Sequence, residues 1–490
     1  MAAVTNPYLE GDFAPVREER TDTELQVEGK LPEYLDGRYL RIGPNPVRPR
    51  PAVYHWFMGA GMVHGLRIRD GRAEWYRNRY VRSGPVRRAL GEPKQPGKVK
   101  AHAGFDMSPN TNVIGYRGHT LALVEAGPRP YELTFELETI GPCDFDGTLS
   151  GGYSAHPLVD PATGELHAVS YYFGSANLVH YSVTGTDGRV RHTAAIEVGG
   201  SPMMHAFSLT ERFVVLYDLP VTFDARKAAA FSPRPFAKPT ELLFDRVVGR
   251  RRVPDWFVAM GIRRLDEGSI PYSWNSDYPA RIGVMPRQRS GSEVRWFDVE
   301  PCYVYHPLNA YEDGDRIVLD VVRHQKMFAT EHRGPNEGAP TLDRWTLDLT
   351  AGKLLEERLD DRGQEFPRMD ERLVGRRHRY GYTVGGFGAG APGDRPTGAP
   401  VADCVIKHDL AGGTSALRRL GAGKEADEFL FVPAQSDAEE DEGVLMGFVY
   451  DRTGDRSDWL VLDAGTLEPM ASVHLPVRVP HGFHGNWVPV

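Results

Sequence analysis

The sequence predicts an all-β protein built as one body over residues 1–490. Three observations carry that expectation: short apolar runs with period-two alternation, tight Asp-Gly or Thr-Gly turns between them, and no long stretch with a helical period. Hairpins recur from about residue 60 to about residue 475, which favours one large β body over a series of α/β units.

Taken in order, Leu66-Arg67-Ile68-Arg69 runs into Asp70-Gly71 and resumes at Ala73-Glu74-Trp75-Tyr76. Val113-Ile114-Gly115-Tyr116 breaks at Arg117-Gly118 and continues through Thr120-Leu121-Ala122-Leu123-Val124. Similar pairs flank Asp160 to Gly164, Thr186-Asp187-Gly188, Glu312 to Asp315, and Arg452 to Asp455. Each is a two-strand signal with a residue at its tip that tolerates positive φ. Three stretches depart from the pattern. Residues 219–245, with Phe223, Phe231, Phe236, Leu242, Leu243 and Phe244 beside Lys227, Arg234 and Lys238, are long for a strand connection. They read as a polar surface loop or short helix, or as a cap that closes a channel mouth or meets a membrane face. Ala389 to Pro400 is rich in glycine and proline and reads as exposed loop. Asp437 to Glu442 reads as a solvated acidic loop.

Composition narrows the function. With 490 residues and 41% hydrophobic content, the chain has ample material for a core. The 53 glycines and 38 prolines are too many for a helical protein and too dispersed for a disordered one. A formal charge of -8 argues against a nucleic-acid partner, which requires a basic face. Cys143, Cys302 and Cys404 are isolated, as reduced core cysteines of a cytoplasmic protein would be. Neither a signal pattern nor an apolar run near membrane-spanning length is present.

Among 17 histidines, four stand in apolar, aromatic or glycine surroundings at strand ends: His156, His205, His306 and His484. The first three each end an apolar stretch and are followed by a turn and a strand. The last lies in the closing Pro480-His481-Gly482-Phe483-His484-Gly485. A β-propeller brings such positions together, because the inner strand of every blade lines one axis. No local pair motif ties any two of the four, so spacing alone leaves their convergence open. His167, His180, His192, His324, His332, His378, His408 and His474 fall in strands or charged turns and read as surface or packing residues.

Several separate segments together resemble the carotenoid cleavage oxygenase family. They are Asn6-Pro7-Tyr8-Leu9, Gly37-Arg38-Tyr39-Leu40-Arg41-Ile42-Gly43-Pro44-Asn45-Pro46, Tyr54-His55-Trp56-Phe57, Gly61-Met62-Val63-His64-Gly65 and the closing Gly482-Phe483-His484-Gly485. The resemblance implies a seven-bladed β-propeller with a loop and short-helix cap over an axial metal site, such as residues 219–245 inserted between blades. It implies one non-haem Fe(II) per chain, held by His156, His205, His306 and His484. It further implies that Glu125, Glu365 and Glu428 orient three of these rings, and that the methyl of Thr111 crowds one open position on the metal. All three glutamates lie in apolar stretches, where an unpaired carboxylate would be costly.

The implied reaction is oxidative scission of a conjugated C=C bond by O2, giving two carbonyl products from a carotenoid or apocarotenoid. Trp56, Phe57, Tyr303, Tyr305 and Phe483 are the expected walls of an apolar tunnel for this polyene. The stilbene-cleaving branch of the family carries a lysine where this chain has Val124, which favours a polyene over a phenolic stilbene. A stilbene cleaver, a polyene isomerase, and a propeller serving as a non-catalytic binding platform are the alternatives. Peripheral membrane contact through 219–245 is a further expectation, because carotenoids reside in bilayers.

Overall fold

The structure is a computed structural model that describes residues 5–94, 106–230, 232, 234–254, 270–288, 291–335, 337–386 and 402–490. Phe231 and the glycine- and proline-rich stretch 389–400 lie outside the described residues.

Seven antiparallel sheets of four to six strands form a seven-bladed β-propeller. Blade 1 is built on Gly37–Pro44, Gly61–Arg69 and Arg72–Tyr80, blade 2 on residues 112–142, and blade 3 on 158–197. Blade 4 takes strands from 207–298, blade 5 from 307–360, blade 6 from 364–419 and blade 7 from 424–474. The ring is closed by exchange between the chain ends. The final strand, Gly485–Pro489, pairs with Gly37–Pro44 on the inner edge of blade 1. The early strand Gln26–Gly29 pairs with Pro469–His474 on the outer edge of blade 7.

Burial follows position in the blade. Gly37–Pro44 is buried at every residue, whereas the outer strands Val190–Glu197 and Lys353–Asp360 expose alternate side chains. Strands packed on both faces lose the period-two signal, and half-covered strands keep it. The expected hairpins are present. Asp70 and Gly71 join two strands of blade 1 with φ of 49° and 68°, the left-handed pair that a two-residue hairpin turn requires. Cys302 and Cys404 are buried free thiols, and Cys143 is half-buried.

Residues 219–245 depart from the chain inside blade 4, between its strands Phe213–Asp218 and Arg281–Pro286, not between blades. They supply strand Val221–Phe223, which pairs with Tyr272–Trp274, and two helices. Gly84–Leu90 (α1) lies earlier in the chain, while Ala225–Ala229 (α2) and Arg234–Val247 (α3) belong to this insertion. The Asp224 side chain accepts from Lys227 N and so caps α2. The acidic loop 437–442 is pinned to its neighbours instead of standing free. Glu440 Oε1 accepts from the backbone N–H groups of Arg379 and Tyr380, and Lys407 pairs with Asp441.

Candidate metal centre

Each blade delivers one residue at or just ahead of its inner strand. His484 enters from blade 1, Thr111 from blade 2, His156 from blade 3, His205 from blade 4 and His306 from blade 5. Glu365 follows from blade 6 and Glu428 from blade 7. The four histidines meet at one point: one ring nitrogen from each lies within 4.8 Å of the others. His156 is 4.3 Å from His205, 5.3 Å from His306 and 4.6 Å from His484, centroid to centroid. A backbone bond of 3.2 Å from His484 N to Thr111 O ties blades 1 and 2 at the same level.

Three of the rings carry a carboxylate on Nδ1. Glu125 Oε2 lies 2.9 Å from His205 Nδ1, Glu365 Oε2 lies 2.7 Å from His306 Nδ1, and Glu428 Oε1 lies 3.0 Å from His484 Nδ1. This contact places the proton of a neutral imidazole on Nδ1 and leaves a lone pair on Nε2. His205 Nε2 and His306 Nε2 then face each other at 3.3 Å as two acceptors. His156 Nε2 is buried with no hydrogen-bond partner. Lone pairs converging in this way repel one another unless a cation lies between them. Two imidazoles set at a right angle on one metal, with bonds of about 2.1 Å, would hold their nitrogens about 3 Å apart. The donor set therefore fits a divalent metal held by nitrogen alone.

The electrostatics favour neutral rings backed by charged acids. Burial pulls His156 well below the ordinary histidine value, and the other three rings add to the effect. Burial lowers His484 to about 4 against the pull of Glu428. For Glu365, burial acts upward but His306 and His324 outweigh it and hold the carboxyl well below its usual range. Burial also acts upward on Glu428, where Arg368 and then His484 reverse it.

Each glutamate has a different group behind it, and the sequence reading missed all three. The Tyr171 hydroxyl stands in the field of Glu125, whose charge adds to burial in raising it, His324 Nε2 lies 2.9 Å from Glu365 Oε1, and Arg368 Nε lies 3.0 Å from Glu428 Oε1. His324 corrects the expectation of a surface or packing residue: it is buried, and its backbone pairs with Tyr303 across an isolated bridge. Its Val322-Arg323-His324 context is that of an ordinary strand end, so no local signal marked it. Arg368 had a faint signal, standing beside Glu365 in Glu-Phe-Pro-Arg. Phe366, at φ 53°, sits in a bulge between Glu365 and Arg368 that lets one strand serve two rings.

A cavity of about 350 Å³ is lined by three of the four rings, His205, His306 and His484, with His156 set behind them. Trp56, Phe57, Thr111, Tyr305 and Phe483 line it, together with Val124, Phe173 and Ile270. Tyr303 stands one layer back. It is fully buried, its hydroxyl donates to Met203 O at 2.7 Å, and its ring packs on Tyr305 at 4.7 Å. The Thr111 hydroxyl donates to Asn110 Oδ1 at 3.1 Å. Among the described residues, the cavity lining includes neither lysine nor arginine.

Comparison with known proteins agrees in extent with this geometry. A family model described as retinal pigment epithelial membrane protein matches residues 13–489. The chain is 54% identical over 495 residues to a carotenoid cleavage oxygenase of Mycobacterium tuberculosis, covering 99% of this chain and 98% of that one. It is 30% identical over 538 residues to carotenoid 9,10(9',10')-cleavage dioxygenase 1 of Phaseolus vulgaris, covering 99% and 90%. The crystal structure of Pseudomonas brassicacearum lignostilbene dioxygenase aligns with a TM-score of 0.81 at 27% identity, covering 99% of both chains.

Proposed function

This chain belongs to the carotenoid cleavage oxygenase family, also described as the retinal pigment epithelial membrane protein family, and from that premise we propose that it is a non-haem Fe(II) dioxygenase. Its reaction cuts one C=C bond of a carotenoid or apocarotenoid with O2, and each product receives one oxygen atom as a carbonyl. The observation that carries this reading is four converging imidazoles, three of which carry a carboxylate on Nδ1 and line an apolar cavity.

His156, His205, His306 and His484 would hold the iron, one ion per chain. Bound there, Fe(II) supplies activation of O2. The chain's own groups do the positioning. Glu125, Glu365 and Glu428 keep Nδ1–H on three rings, so Nε2 is offered inward in a fixed direction. Neutral nitrogen donors leave the metal its full charge, unlike a two-histidine, one-carboxylate site. Thr111, its hydroxyl engaged by Asn110, would turn its methyl toward an open position. Trp56, Phe57, Tyr305 and Phe483 would exclude water and hold the polyene near attack geometry. The balanced reaction requires no general acid or base.

The absence of lysine and arginine from the described lining, with Val124 beside Glu125, favours a polyene over a phenol. Helix α3 supports peripheral membrane contact. None of its residues is buried, Phe236, Leu242 and Leu243 are exposed, and Val247 packs against the cluster of Tyr172, Phe173 and Val253, of which Phe173 lines the cavity. Iron-loaded protein incubated separately with an apocarotenal and a hydroxystilbene tests the assignment by mass spectrometry. Two carbonyl fragments from the apocarotenal are expected. Scission of the stilbene alone would overturn the substrate class, and less than about half an equivalent of iron after anaerobic reconstitution would overturn the metal.

A further inference from the structure

A second buried cluster lies behind the cavity wall. His481 Nδ1 is 2.9 Å from Asp12 Oδ2 and 2.8 Å from Asp427 Oδ1, and Arg41 Nη2 is 3.1 Å from the same Asp427 oxygen. All four side chains are between 1% and 6% exposed. An uncompensated charge at that depth is costly. Two carboxylates and one guanidinium leave a net charge of -1, which closes to zero when His481 carries protons on both ring nitrogens. The three acid and imidazole groups are also spaced to hold a cation, but the Arg41 guanidinium already stands against Asp427.

The cluster joins distant parts of the chain. Asp12 belongs to the opening segment, Arg41 to Gly37–Pro44 of blade 1, and Asp427 to blade 7 immediately ahead of Glu428. His481 leads into Phe483 and His484, and its backbone N–H donates to Asp12 O at 2.9 Å. Phe13 and Trp56 lie 4.8 Å and 5.6 Å from the His481 ring, and Trp56 meets Phe483 at 4.6 Å. His481, Trp56 and Phe483 all line the cavity.

We propose that Asp12, Arg41, Asp427 and His481 form a charge-neutral clasp between the two chain ends, in which His481, as an imidazolium, is a positioning residue for the Trp56–Phe483 wall of the cavity. Burial pulls His481 down, but Asp427 and Asp12 outweigh it and hold the ring up to about 9, while burial pushes Asp12 up to about 6. Between these values both partners are charged. The other titratable groups facing the clasp are Glu425, whose charge reaches Asp12, His64, which burial lowers to about 3, and Tyr39 and Tyr450, which burial raises so that both hydroxyls stay neutral below pH 9.

Three variants test the clasp in iron-loaded protein: H481Q, D12N and the two combined. H481Q strands a net charge of -1, so its Tm falls. Adding D12N restores neutrality and recovers part of that loss, so the two penalties are less than additive. Each single variant keeps one iron per chain and raises KM several-fold more than it lowers kcat, because the wall is disturbed and the ligands are not. Additive penalties, an unchanged KM, or a second metal equivalent bound by the wild type and lost in D12N would each overturn the proposal. Where H481Q does not fold, the wild type carries the test. The His481 contribution is fully present below about 6.5 and is lost as pH rises from there to about 9, so Tm falls over that window and levels above it. D12N moves the upper end of the fall downward by about one unit; an end left in place by D12N sinks the idea. Only the KM readout rests on the proposed oxygenase activity, so a protein that cleaves no polyene still leaves the Tm and pH tests to decide the clasp.

Discussion

Arg368 Nε lies 3.0 Å from Glu428 Oε1, the same oxygen that faces His484 Nδ1 at 3.0 Å. The other Glu428 oxygen accepts from Gly485 N at 2.9 Å. A carboxylate held by a ring, a backbone N–H and a guanidinium has little freedom to turn, and the ring it faces inherits that rigidity. Loss of a ligand and loss of its support should therefore differ in degree. Alanine at His156, His205, His306 or His484 should abolish turnover, whereas alanine at His192 or His332 should change little. E428Q should cost about 10–100-fold in iron affinity or activity. R368L leaves the buried carboxylate without its counter-charge and should lower stability by about 3 kcal/mol. Chelator competition and denaturant titration measure the two effects. An R368L protein with wild-type stability would show that Arg368 does not carry this load.

His324 gives the same logic a second site. Its Nε2 grips Glu365 Oε1 while Oε2 serves His306. H324F keeps the ring volume beside Tyr305, 5.3 Å away, but removes the grip. The expected result is a loss of iron affinity of about 10-fold, the lower end of the range for an outer partner of a ligand. Iron affinity measured by chelator competition checks it, and an unchanged value would reduce His324 to packing.

Why His306 and His484 were legible while His324 and Arg368 were not is a matter of sequence distance. The former stand at the entry to inner strands, where an apolar or glycine-rich stretch ends on a polar residue, and the resemblance supplied their shared role. His324 comes to Glu365 from the end of another strand, and Arg368 reaches Glu428 across to the next blade. Nothing local records either meeting. The fold was legible in its hairpins, because Asp70-Gly71 and its counterparts spell out their own backbone. The insertion was legible only as a surface loop or short helix: hydrophobic residues of α3 are exposed, so burial periodicity could not decide between the two, and nothing in residues 219–245 said that they interrupt a blade. Tyr303 was placed one layer too far inward for a similar reason. Its hydroxyl is satisfied by Met203 O, a contact that no nearby residue foreshadows.

Acid should loosen the protein before carboxylates of ordinary range titrate. Burial lowers both His55 and His64 to about 3. The unfolded chain takes up a proton on each near pH 6.5, whereas the folded chain does not. Their contribution is therefore fully present above about 6.5 and is lost as pH falls below it, at about 1.4 kcal/mol per pH unit for each ring. His64 is bonded to the Tyr76 hydroxyl at 2.9 Å and stands apart from the four-ring centre. In H64F the slope of unfolding free energy between pH 6 and 4 should shrink by one ring's share, whatever happens to the plateau. Urea titrations at stepped pH give the slope, and an unaltered one would mean that His64 protonates in the folded state.

Membrane contact reduces to a question about one helix face. Phe236, at 62% exposure, and Leu242 and Leu243, at 44% and 46%, project from α3, while Arg234, Lys238 and Arg246 are carried on the same helix. Apolar side chains flanked by cations suit the headgroup boundary of an anionic bilayer. No helix among the described residues is long and apolar enough to cross a membrane, so insertion through this helix would be shallow. The insertion also reaches the cavity, since Phe223 stacks on the lining residue Phe173 at 5.0 Å and meets Phe244 at 5.8 Å. A bilayer docked on α3 would therefore lie behind the Phe173 wall of the cavity. Replacing Phe236 and Leu243 with serine should reduce flotation with anionic liposomes several-fold and raise KM for liposome-borne polyene. Tm should change little, because neither side chain is buried. Flotation equal to that of the wild type would remove the helix from the route.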